Sequence, residues 1–310
     1  MKPKISVIVP VRNREKLVER CLDSVLNQTF LPYELIVVDN NSEDSTYEVV
    51  KRWMKAHDNW PLIFKLLKEE NKGACQARQK GLLNAKGDYL IFFDSDDEML
   101  PSLIQRASEQ IEKSQDTDIV CWKVRIKLLD NSYKEPTFMP SNPLEGHLIH
   151  ALLRPQGMMV KKIFIEKSGG WAKPIKVWND YELGLRLLLN NPKIVSIPEV
   201  LAMIYSQEDS ITGKSFSSKQ GLWEETLAEM DKVNLTESHP AQKKVKGILN
   251  YRRAILAAHY YREGNKRGAS NLMRTALAQK CLKERMLLRF SYFFTSRGFR
   301  GAWRLVRFAY

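Results

Sequence analysis

Residues 89–97, YLIFFDSDD, place five apolar side chains directly before three carboxylates in four positions. An unbroken apolar run of this length predicts a strand that is buried on both faces of a sheet. Side chains alternate along an extended strand, so Asp94 and Asp96 would point the same way and Asp97 toward the next loop. Two such carboxylates repel each other by about 4 kcal/mol at an intermediate dielectric, unless one is protonated or a divalent cation lies between them. Mg²⁺ and Mn²⁺ prefer oxygen ligands of this kind.

The same cluster also fits the start of a helix. Asp97 and Glu98 precede Pro101 and an amphipathic stretch, and acidic residues at a helix N-terminus cap it and suit its dipole. Taken alone, the cluster leaves a metal site and a helix cap as alternatives.

Short apolar runs alternate with stretches of helical periodicity in the first hundred residues. Buried strands are predicted at 5–9, 35–38, 64–67 and 89–93. Helices are predicted over 15–27, from a cap at Ser42 or Asp44 to about Lys55, and over 73–85. This alternation predicts an α/β nucleotide-binding fold with a mostly parallel central sheet that helices cover on both faces.

Ligands of such sheets bind at the carboxyl ends of the strands. Polar or acidic residues follow three of the predicted strands, at 10–13, 39 and 94–97, so we expect them to meet in one crevice. The first turn holds no glycine, which a dinucleotide-binding turn needs where the backbone approaches the pyrophosphate. The pattern argues against a dehydrogenase and favours the metal interpretation, since diphosphate charge must then be met by a metal and by Arg or Lys.

Later segments are less regular. Strands are predicted over 118–124 and 125–129, an irregular connector over 136–143 and a helix over 181–189. Asp180 directly precedes that helix and is either its N-cap or an active-site base. Its position in the sequence leaves both open.

Charge divides the chain of 310 residues into two parts. Residues 241–310 hold 17 Lys and Arg against two Glu, a net charge of +15, whereas the first 240 residues carry −2 of the overall +13. The acidic site and the basic surface therefore lie on different segments. We predict two domains, residues 1–215 with the sheet and residues 216–310 as a basic helical region.

Four widely spaced cysteines form no C-x-x-C pair, which predicts reduced thiols and a cytoplasmic protein. The apolar run at 5–9 is too short for a signal peptide. No run reaches the roughly 18 apolar residues of a membrane span.

Several segments, in order, resemble the family 2 glycosyltransferases of the GT-A fold, over about residues 4–212. The segments are Val7–Asn13, Ile36–Thr46, Asn71–Gly73 with Ala77, Arg78 and Gly81, Ala85–Asp97, Gly169–Trp171 and Trp178–Leu183 with Arg186. One segment alone would be weak, but the ordered series is specific. The resemblance implies an inverting transferase that moves a sugar from a nucleotide-diphosphate donor, a UDP-sugar by preference, to a hydroxyl of a glycan or glycolipid in surface polysaccharide biosynthesis.

The resemblance also implies a role for individual residues. The implied donor-binding residues are Pro10, Asn13, Asp39, Arg78 and Asp94, with Asp39 accepting from the uracil N–H. Asp96 would ligate Mn²⁺ or Mg²⁺ at the diphosphate, with Asp94 and Asp97 as further candidate ligands. Asp180 would be the general base that takes a proton from the acceptor hydroxyl, beside Trp178 at the acceptor.

Two positions depart from the family pattern. The usual glutamate before the base is Asn179 here, which removes a nearby negative charge and lowers the basicity of Asp180. Gln207 stands where relatives often carry a His three positions before a Ser, here Ser210. Glu208, Asp209 or water would then complete the metal shell, and that ligand is left open.

The C-terminal segment alternates helices with short breaks, and its last part, residues 282–310, combines Arg with aromatic residues. Arginine and aromatic side chains together suit an anionic membrane surface, so we predict a peripheral protein on the inner face of the cell membrane. A packed helix with a solvated basic face is the alternative. No nucleic-acid-binding motif accompanies the charge, and we predict no nucleic-acid partner.

Two other functions remain open beside the transferase. An apolar strand followed by Asp-x-Asp also suits an aspartyl phosphatase, although that chemistry leaves Asp39 and the segment 178–180 unexplained. A non-catalytic subunit that binds the donor in a glycan assembly system is conceivable because of Asn179 and Gln207.

Overall fold

The computed structural model describes residues 2–139, 141–171, 174–207, 215–233, 241–278 and 280–306. Glu208, Asp209, Ser210, Arg307, Phe308 and Tyr310 lie outside the described residues. The chain divides into two compact units, Met1–Pro143 with Leu152–Gln207, and Leu144–Ala151 with Glu208–Tyr310. The second unit therefore includes a short helix that is inserted in the sequence of the first.

The first unit is built around one sheet. Its strands are β1 (Ile5–Val11), β2 (Glu34–Asp39), β3 (Ile63–Lys68), β4 (Tyr89–Phe92), β5 (Glu98–Met99), β6 (Ile119–Lys127), β7 (Tyr133–Lys134), β8 (Met158–Lys161) and β9 (Ile194–Tyr205). They lie in the order β3-β2-β1-β4-β8-β6-β9-β5, with β7 paired to β6. The first four strands pair in parallel, whereas β8 is antiparallel to both β4 and β6.

Helices cover this sheet, because every residue of β1, β2 and β4 is buried. They are α1 (Val18–Leu26), α2 (Thr46–Ala56), α3 (Ala74–Asn84), α4 (Leu103–Lys113), α6 (Lys162–Lys167) and α7 (Asn179–Leu189). The helix α5 (Pro143–His150) belongs to the second unit. The predicted strands and helices of the first hundred residues are thus present, with ends that differ by a few residues.

Three local predictions are wrong. The two strands predicted over 118–129 are one strand, β6, whose register against β9 shifts at Trp122–Val124. Pro10 lies inside β1 rather than in a turn. A proline is tolerated at this position because the pairing of β1 with β4 stops at Ile8. The missing N–H of Pro10 therefore interrupts no hydrogen bond on the β4 side of the strand.

The third error concerns the aspartate cluster. The strand β4 ends at Phe92, and residues 94–97 form a turn in which the Asp97 N–H donates to the Asp94 carbonyl at 3.1 Å. The alternation of an extended strand therefore does not orient these side chains. Asp97 is not a helix cap either, because α4 begins at Leu103 and its N-cap is Ser102.

Two glycines allow close packing against β1. A Cβ on Gly81 of α3 would overlap the Ile8 side chain, and one on Gly87 would lie 2.7 Å from the Ser6 backbone nitrogen. Helix α3 and the segment before β4 approach the sheet this closely only because both positions lack a side chain. The approach of α3 matters because this helix carries Arg78.

The second unit is helical. Besides α5 it holds α8 (Leu222–Asp231), α9 (Gln242–Arg262), α10 (Lys266–Leu277), α11 (Leu282–Ser296) and α12 (Trp303–Val306). The long helix α9 is central, since α8, α10 and α11 all pack against it. Buried Trp223 and Tyr260 lie in this core, where the Tyr260 hydroxyl bonds to Glu224 at 3.1 Å. Across the described ranges, every helix is too short or too polar to span a membrane.

Candidate active site

The loops after β1, β2 and β3 are tied to one another by hydrogen bonds. Asn13, in a left-handed conformation with φ 52°, accepts from the Glu43 N–H at 2.9 Å. Its own N–H donates to the Ser42 hydroxyl at 3.1 Å. Asn40 then spans to the loop after β3, where its amide donates to the Asn71 carbonyl and accepts from the Gly73 N–H. The ends of β1, β2 and β3 therefore form one wall, which contains two of the three predicted segments, 10–13 and 39.

Asp39, the last residue of β2, is 3% exposed. One carboxylate oxygen, Oδ2, accepts from the Ser42 N–H at 3.2 Å. The other, Oδ1, is buried with no hydrogen-bond partner among the described residues. A buried acceptor left without a donor costs about 1–3 kcal/mol. Asp39 thus offers an acceptor that a ligand N–H could satisfy.

Asp94 and Asp97 are joined by a side chain from a distant segment. The Gln156 amide donates to Asp94 Oδ2 at 2.5 Å and to Asp97 Oδ2 at 2.7 Å. The second oxygen of Asp97, Oδ1, accepts from the Tyr205 N–H at 3.0 Å. Burial and the charges of Asp94 and Asp96 raise the pKa of Asp97 well above its usual range. Both oxygens of Asp97 are therefore already engaged by the protein.

Asp96 is more open, with a side chain that is 20% exposed. The Arg14 Nε–H donates to its carboxylate at 3.3 Å, and Arg20 donates to its backbone carbonyl. Burial, followed by the charge of Asp94, raises the pKa of Asp96, and Arg14 only partly offsets this. The carboxylate of Asp94 thus disfavours the charged form of Asp96, and a cation would relieve this repulsion.

Arg78 of α3 connects this turn to the start of α7. Its guanidinium donates to Asp94 Oδ1 at 2.7 Å and to Asn179 Oδ1 at 2.9 Å. The same group lies over the Trp171 ring, 4.7 Å from its centroid. Burial lowers the pKa of Arg78, but the carboxylate of Asp94 outweighs it and raises the pKa above the usual value. The two acidic segments, 94–97 and 179–180, therefore meet around one buried cation.

Asp180 lies inside the first turn of α7 and is not its N-cap, because Trp178 holds that place with a left-handed φ of 51°. The carboxylate accepts from the Tyr181 N–H at 2.9 Å. Burial raises the pKa of Asp180, and the nearby cations Arg78 and Arg154 counteract it. Trp178, the predicted acceptor residue, is partly exposed and meets the Tyr181 ring edge-on at 5.9 Å.

The carboxylates of this site could supply only part of the coordination shell of a divalent ion. No group of three His, Cys, Asp or Glu in the described part of the chain could enclose one. Asp96 and Asp94 supply carboxylate oxygens, the ligands that Mg²⁺ and Mn²⁺ prefer, and the charge of Asp94 disfavours that of Asp96. Further ligands would come from a diphosphate, from water, or from the candidates Glu208 and Asp209, which lie outside the described residues.

Four side chains at this site were not identified from the sequence: Arg14, Arg20, Arg154 and Gln156. Arg14 follows Asn13 in the first turn, so its proximity to a strand end was a usable signal. Gln156 is different, because it lies 62 residues from Asp94. It belongs to a short 3₁₀ turn, Pro155–Gly157, which the apolar periodicity of the sequence does not predict.

The fold and this site define an α/β protein whose parallel strand ends collect carboxylates and buried arginines in one place. The family model described as glycosyl transferase family 2 matches residues 6–168, more than half of the chain. The chain therefore belongs to glycosyl transferase family 2, as the ordered motifs predicted. The assignment favours a transferase over the phosphatase alternative.

Curated relatives match parts of the chain. It is 30% identical over 196 residues to a poly(ribitol-phosphate) beta-glucosyltransferase of Bacillus spizizenii, covering 62% of this chain and 30% of that protein. It is 39% identical over 111 residues to a GalNAc(5)-diNAcBac-PP-undecaprenol beta-1,3-glucosyltransferase of Campylobacter jejuni, covering 34% and 35%. The chain spans only about a third of the length of these two relatives.

Solved structures match nearly the whole chain. TarS 1–349 of S. aureus in complex with UDP-GlcNAc superposes with a TM-score of 0.68 at 19% identity, covering 99% of this chain and 92% of that one. The mannosyltransferase PcManGT of Pyrobaculum calidifontis, in complex with GDP-Man and Mn²⁺, gives 0.61 at 20% identity, covering 98% and 83%. The predicted fold class, a GT-A fold followed by C-terminal helices, is confirmed.

Proposed function

We propose that this protein is an inverting glycosyltransferase that moves a sugar from a UDP-sugar to a hydroxyl of a glycan or lipid-linked glycan in surface polysaccharide biosynthesis. The observation that carries the proposal is the Arg78 bridge, which joins the Asp94 turn to Asn179 and so brings the predicted donor site beside Asp180. The TarS complex contains a UDP-sugar, and both curated relatives are named as glucosyltransferases.

In this proposal the donor base lies against Pro10 and Asn13, and its imide N–H donates to Asp39 Oδ1, which has no hydrogen-bond partner within the described ranges. Asp94 faces the ribose and is held in place by Arg78 and Gln156. Arg78 contributes to donor binding through this carboxylate, since its Nη atoms already donate to Asp94 and Asn179.

Asp96 would hold Mn²⁺ or Mg²⁺, with Asp94 and Asp97 as the further candidates. Both oxygens of Asp97 accept from Gln156 and Tyr205, and both oxygens of Asp94 accept from Arg78 and Gln156. When bound, the ion neutralises the charge that grows on the departing diphosphate. Metal in the PcManGT complex supports this assignment by analogy. Gln207 lies at the end of the first unit, and Glu208 and Asp209, the other candidate ligands, lie outside the described residues.

Asp180 is the proposed general base. Its carboxylate takes the proton from the acceptor hydroxyl as the oxygen attacks the anomeric carbon opposite the leaving diphosphate, which inverts that centre. Its position in the first turn of α7 places it near the positive end of the helix dipole, which favours the charged form. Trp178, beside it, would pack against the acceptor.

We also place the reaction in the cytoplasm, at the inner face of the cell membrane, where residues 282–310 would meet anionic lipid. The net positive charge of residues 241–310 supports this location. The four cysteines are free thiols, of which three are buried, and this suits a reducing compartment.

Release of UDP from a panel of UDP-sugars, with and without Mn²⁺, tests the proposed function. The Asp180→Asn variant should retain the thermal stabilisation by UDP-sugar but release UDP about 10²- to 10⁴-fold more slowly, because only the proton acceptor is lost. Asp96→Ala should lose the metal-dependent part of UDP binding. The exposed Asp58→Asn serves as matched control and should change neither quantity.

The alternative functions give different results in the same assay. Binding of UDP-sugar without any UDP release, unchanged in Asp180→Asn, would identify a donor-binding scaffold. Metal-dependent UDP binding that persists in Asp96→Ala would refute the metal assignment.

A further inference from the structure

One face of α11 is apolar and exposed. Leu282, Met286, Phe290 and Phe293 are 76%, 63%, 47% and 56% exposed, and their spacing of four, four and three residues places them in one row along the helix. We call these four side chains the apolar row. An amphipathic helix of a globular protein normally turns such a row toward the core.

The opposite face of the same helix is already packed. Leu288 and Ser291 are buried, and the Tyr292 ring meets Tyr261 of α9 edge-on at 6.1 Å. Helix α11 therefore uses its inward face to join the second unit, and the apolar row is additional to that packing.

Basic side chains flank the apolar row. Arg285 and Arg289 lie along one side, given 100° per residue, and Lys283 along the other, and all three are exposed. At the end of the helix the Arg297 guanidinium lies over the Phe293 ring, 5.0 Å from its centroid. The one acidic residue of the helix, Glu284, is only partly exposed and its carboxylate accepts from the Cys281 N–H at 3.1 Å. The outward face of α11 thus combines apolar and cationic groups.

Aromatic stacking extends the apolar surface past the end of the helix. Phe294 stacks on Phe290 at 5.6 Å and on Phe299 at 4.9 Å. Phe299 is itself 58% exposed. By contrast, Trp303 meets the His150 ring at 5.1 Å, within the second unit. The aromatic residues named here therefore divide into an outward patch, Phe290, Phe294 and Phe299, and the packed Trp303.

We propose that the apolar row of α11 lies in the interface of an anionic lipid bilayer, with its side chains among the acyl chains and the flanking Arg285, Arg289 and Lys283 at the lipid phosphates. Apolar side chains flanked by basic ones are the composition that binds such an interface in the membrane plane. A second copy of the chain fits less well, because two cationic faces would meet. A nucleic acid would engage the arginines but leave the apolar row in water. The inference rests on the proposed function in one respect only: the membrane surface that α11 contacts would be the one that holds a lipid-linked acceptor.

Flotation of the full chain with vesicles of phosphatidylcholine, alone or mixed with phosphatidylglycerol, tests this surface. We expect binding to the mixed vesicles only. The double variant Phe290→Glu/Phe293→Glu should lower that binding at least about tenfold, since it places charge in the buried row. Arg285→Gln/Arg289→Gln should lower it about fivefold per residue and reduce its sensitivity to salt.

Matched controls separate this surface from general effects. Ile163→Glu changes an apolar residue of the first unit that is 69% exposed, and Arg52→Gln changes an arginine of α2 whose side chain is 72% exposed. Both should float like the wild type, and all variants should keep their melting temperature and their release of UDP in solution.

Equal flotation of the Phe290→Glu/Phe293→Glu protein and the wild type would overturn the proposal. So would a wild-type dimer in gel filtration that the same variant converts to monomer. A protein that floats but releases no UDP would refute the proposed function and leave the lipid contact intact.

Discussion

Asn179 replaces a charged residue of the family pattern, and the structure shows what its amide does. Its Oδ1 accepts from Arg78 at 2.9 Å, so a neutral carbonyl supplies the acceptor that this guanidinium needs on the α7 side. Arg78 is balanced on its other side by the carboxylate of Asp94 at 2.7 Å. The substitution therefore removes a charge near Asp180 while leaving the connection between the two segments in place.

The pH dependence of turnover should report on the cations beside Asp180. Burial raises the pKa of Asp180, and Arg154 is one of two cations that lower it. As the proposed base, Asp180 would act only when deprotonated, so activity should fall as pH drops through this raised pKa. In Arg154→Gln one opposing cation is lost, so the pKa of Asp180 rises further and the acidic limb of kcat/KM should move to higher pH.

The measurement is the pH profile of UDP release. Arg125→Gln is a suitable control, because this arginine is exposed and pairs with Glu135. An acidic limb that stays in place in Arg154→Gln would show that Arg154 does not act on the base.

At the scale of elements, the site depends on how closely α3 approaches β1. Gly81 faces Ile8 across this contact, one turn of helix away from Arg78. The glycine costs helix propensity, about 1 kcal/mol relative to alanine, yet it lets the helix lie against the strand. The contact thereby fixes the distance of Arg78 from the turn after β4.

Gly81→Ala should lower the free energy of unfolding by about 1–3 kcal/mol in spite of its better helix propensity, because the added methyl group overpacks the contact. Denaturant unfolding measures this. Leu83→Ala on the same helix, at a side chain that is 68% exposed, should change it by less than about 0.5 kcal/mol. In a protein that already carries Ile8→Ala, Gly81→Ala should lower the free energy of unfolding by a smaller amount, because the obstructing side chain is gone. Strict additivity of the two changes would show that the contact is not strained.

At the scale of the whole molecule, the chain crosses between its two units more than once. Helix α5 lies between two segments of the first unit in the sequence, but it belongs to the second unit by its contacts. Glu145 pairs with Lys244 at 2.6 Å, and the Ile149 carbonyl accepts from Arg252 at 3.3 Å. A division of the chain at a single position, as the boundary after residue 215 proposes, would separate α5 from these partners.

A fragment of residues 1–207 should therefore aggregate. In the full chain Leu148 and Ile149 of α5 are buried, at 0% and 5% exposure, and the fragment lacks the helices that α5 contacts. Leu148→Ser/Ile149→Ser in the fragment should restore a monomer in gel filtration. The control is Leu129→Ser in the fragment, at a side chain that is 63% exposed, which should not help. A monomeric, cooperatively melting fragment without any substitution would contradict this view of α5.

The sequence by itself determined the parallel strands, the helices between them and the carboxylates at the strand ends, because apolar periodicity and local turns are encoded in neighbouring residues. It also determined the family, since the motifs recur in a fixed order. Only the tertiary structure decided that Arg78 joins Asp94 to Asn179, that Gln156 engages Asp94 and Asp97, and that Asp97 is no helix cap. Those contacts join residues up to about a hundred positions apart, and packing rather than local pattern brings such residues together. The apolar row of α11 shows the same division: its composition was visible in the sequence, but which side of the helix faces outward was decided by its packing on α9.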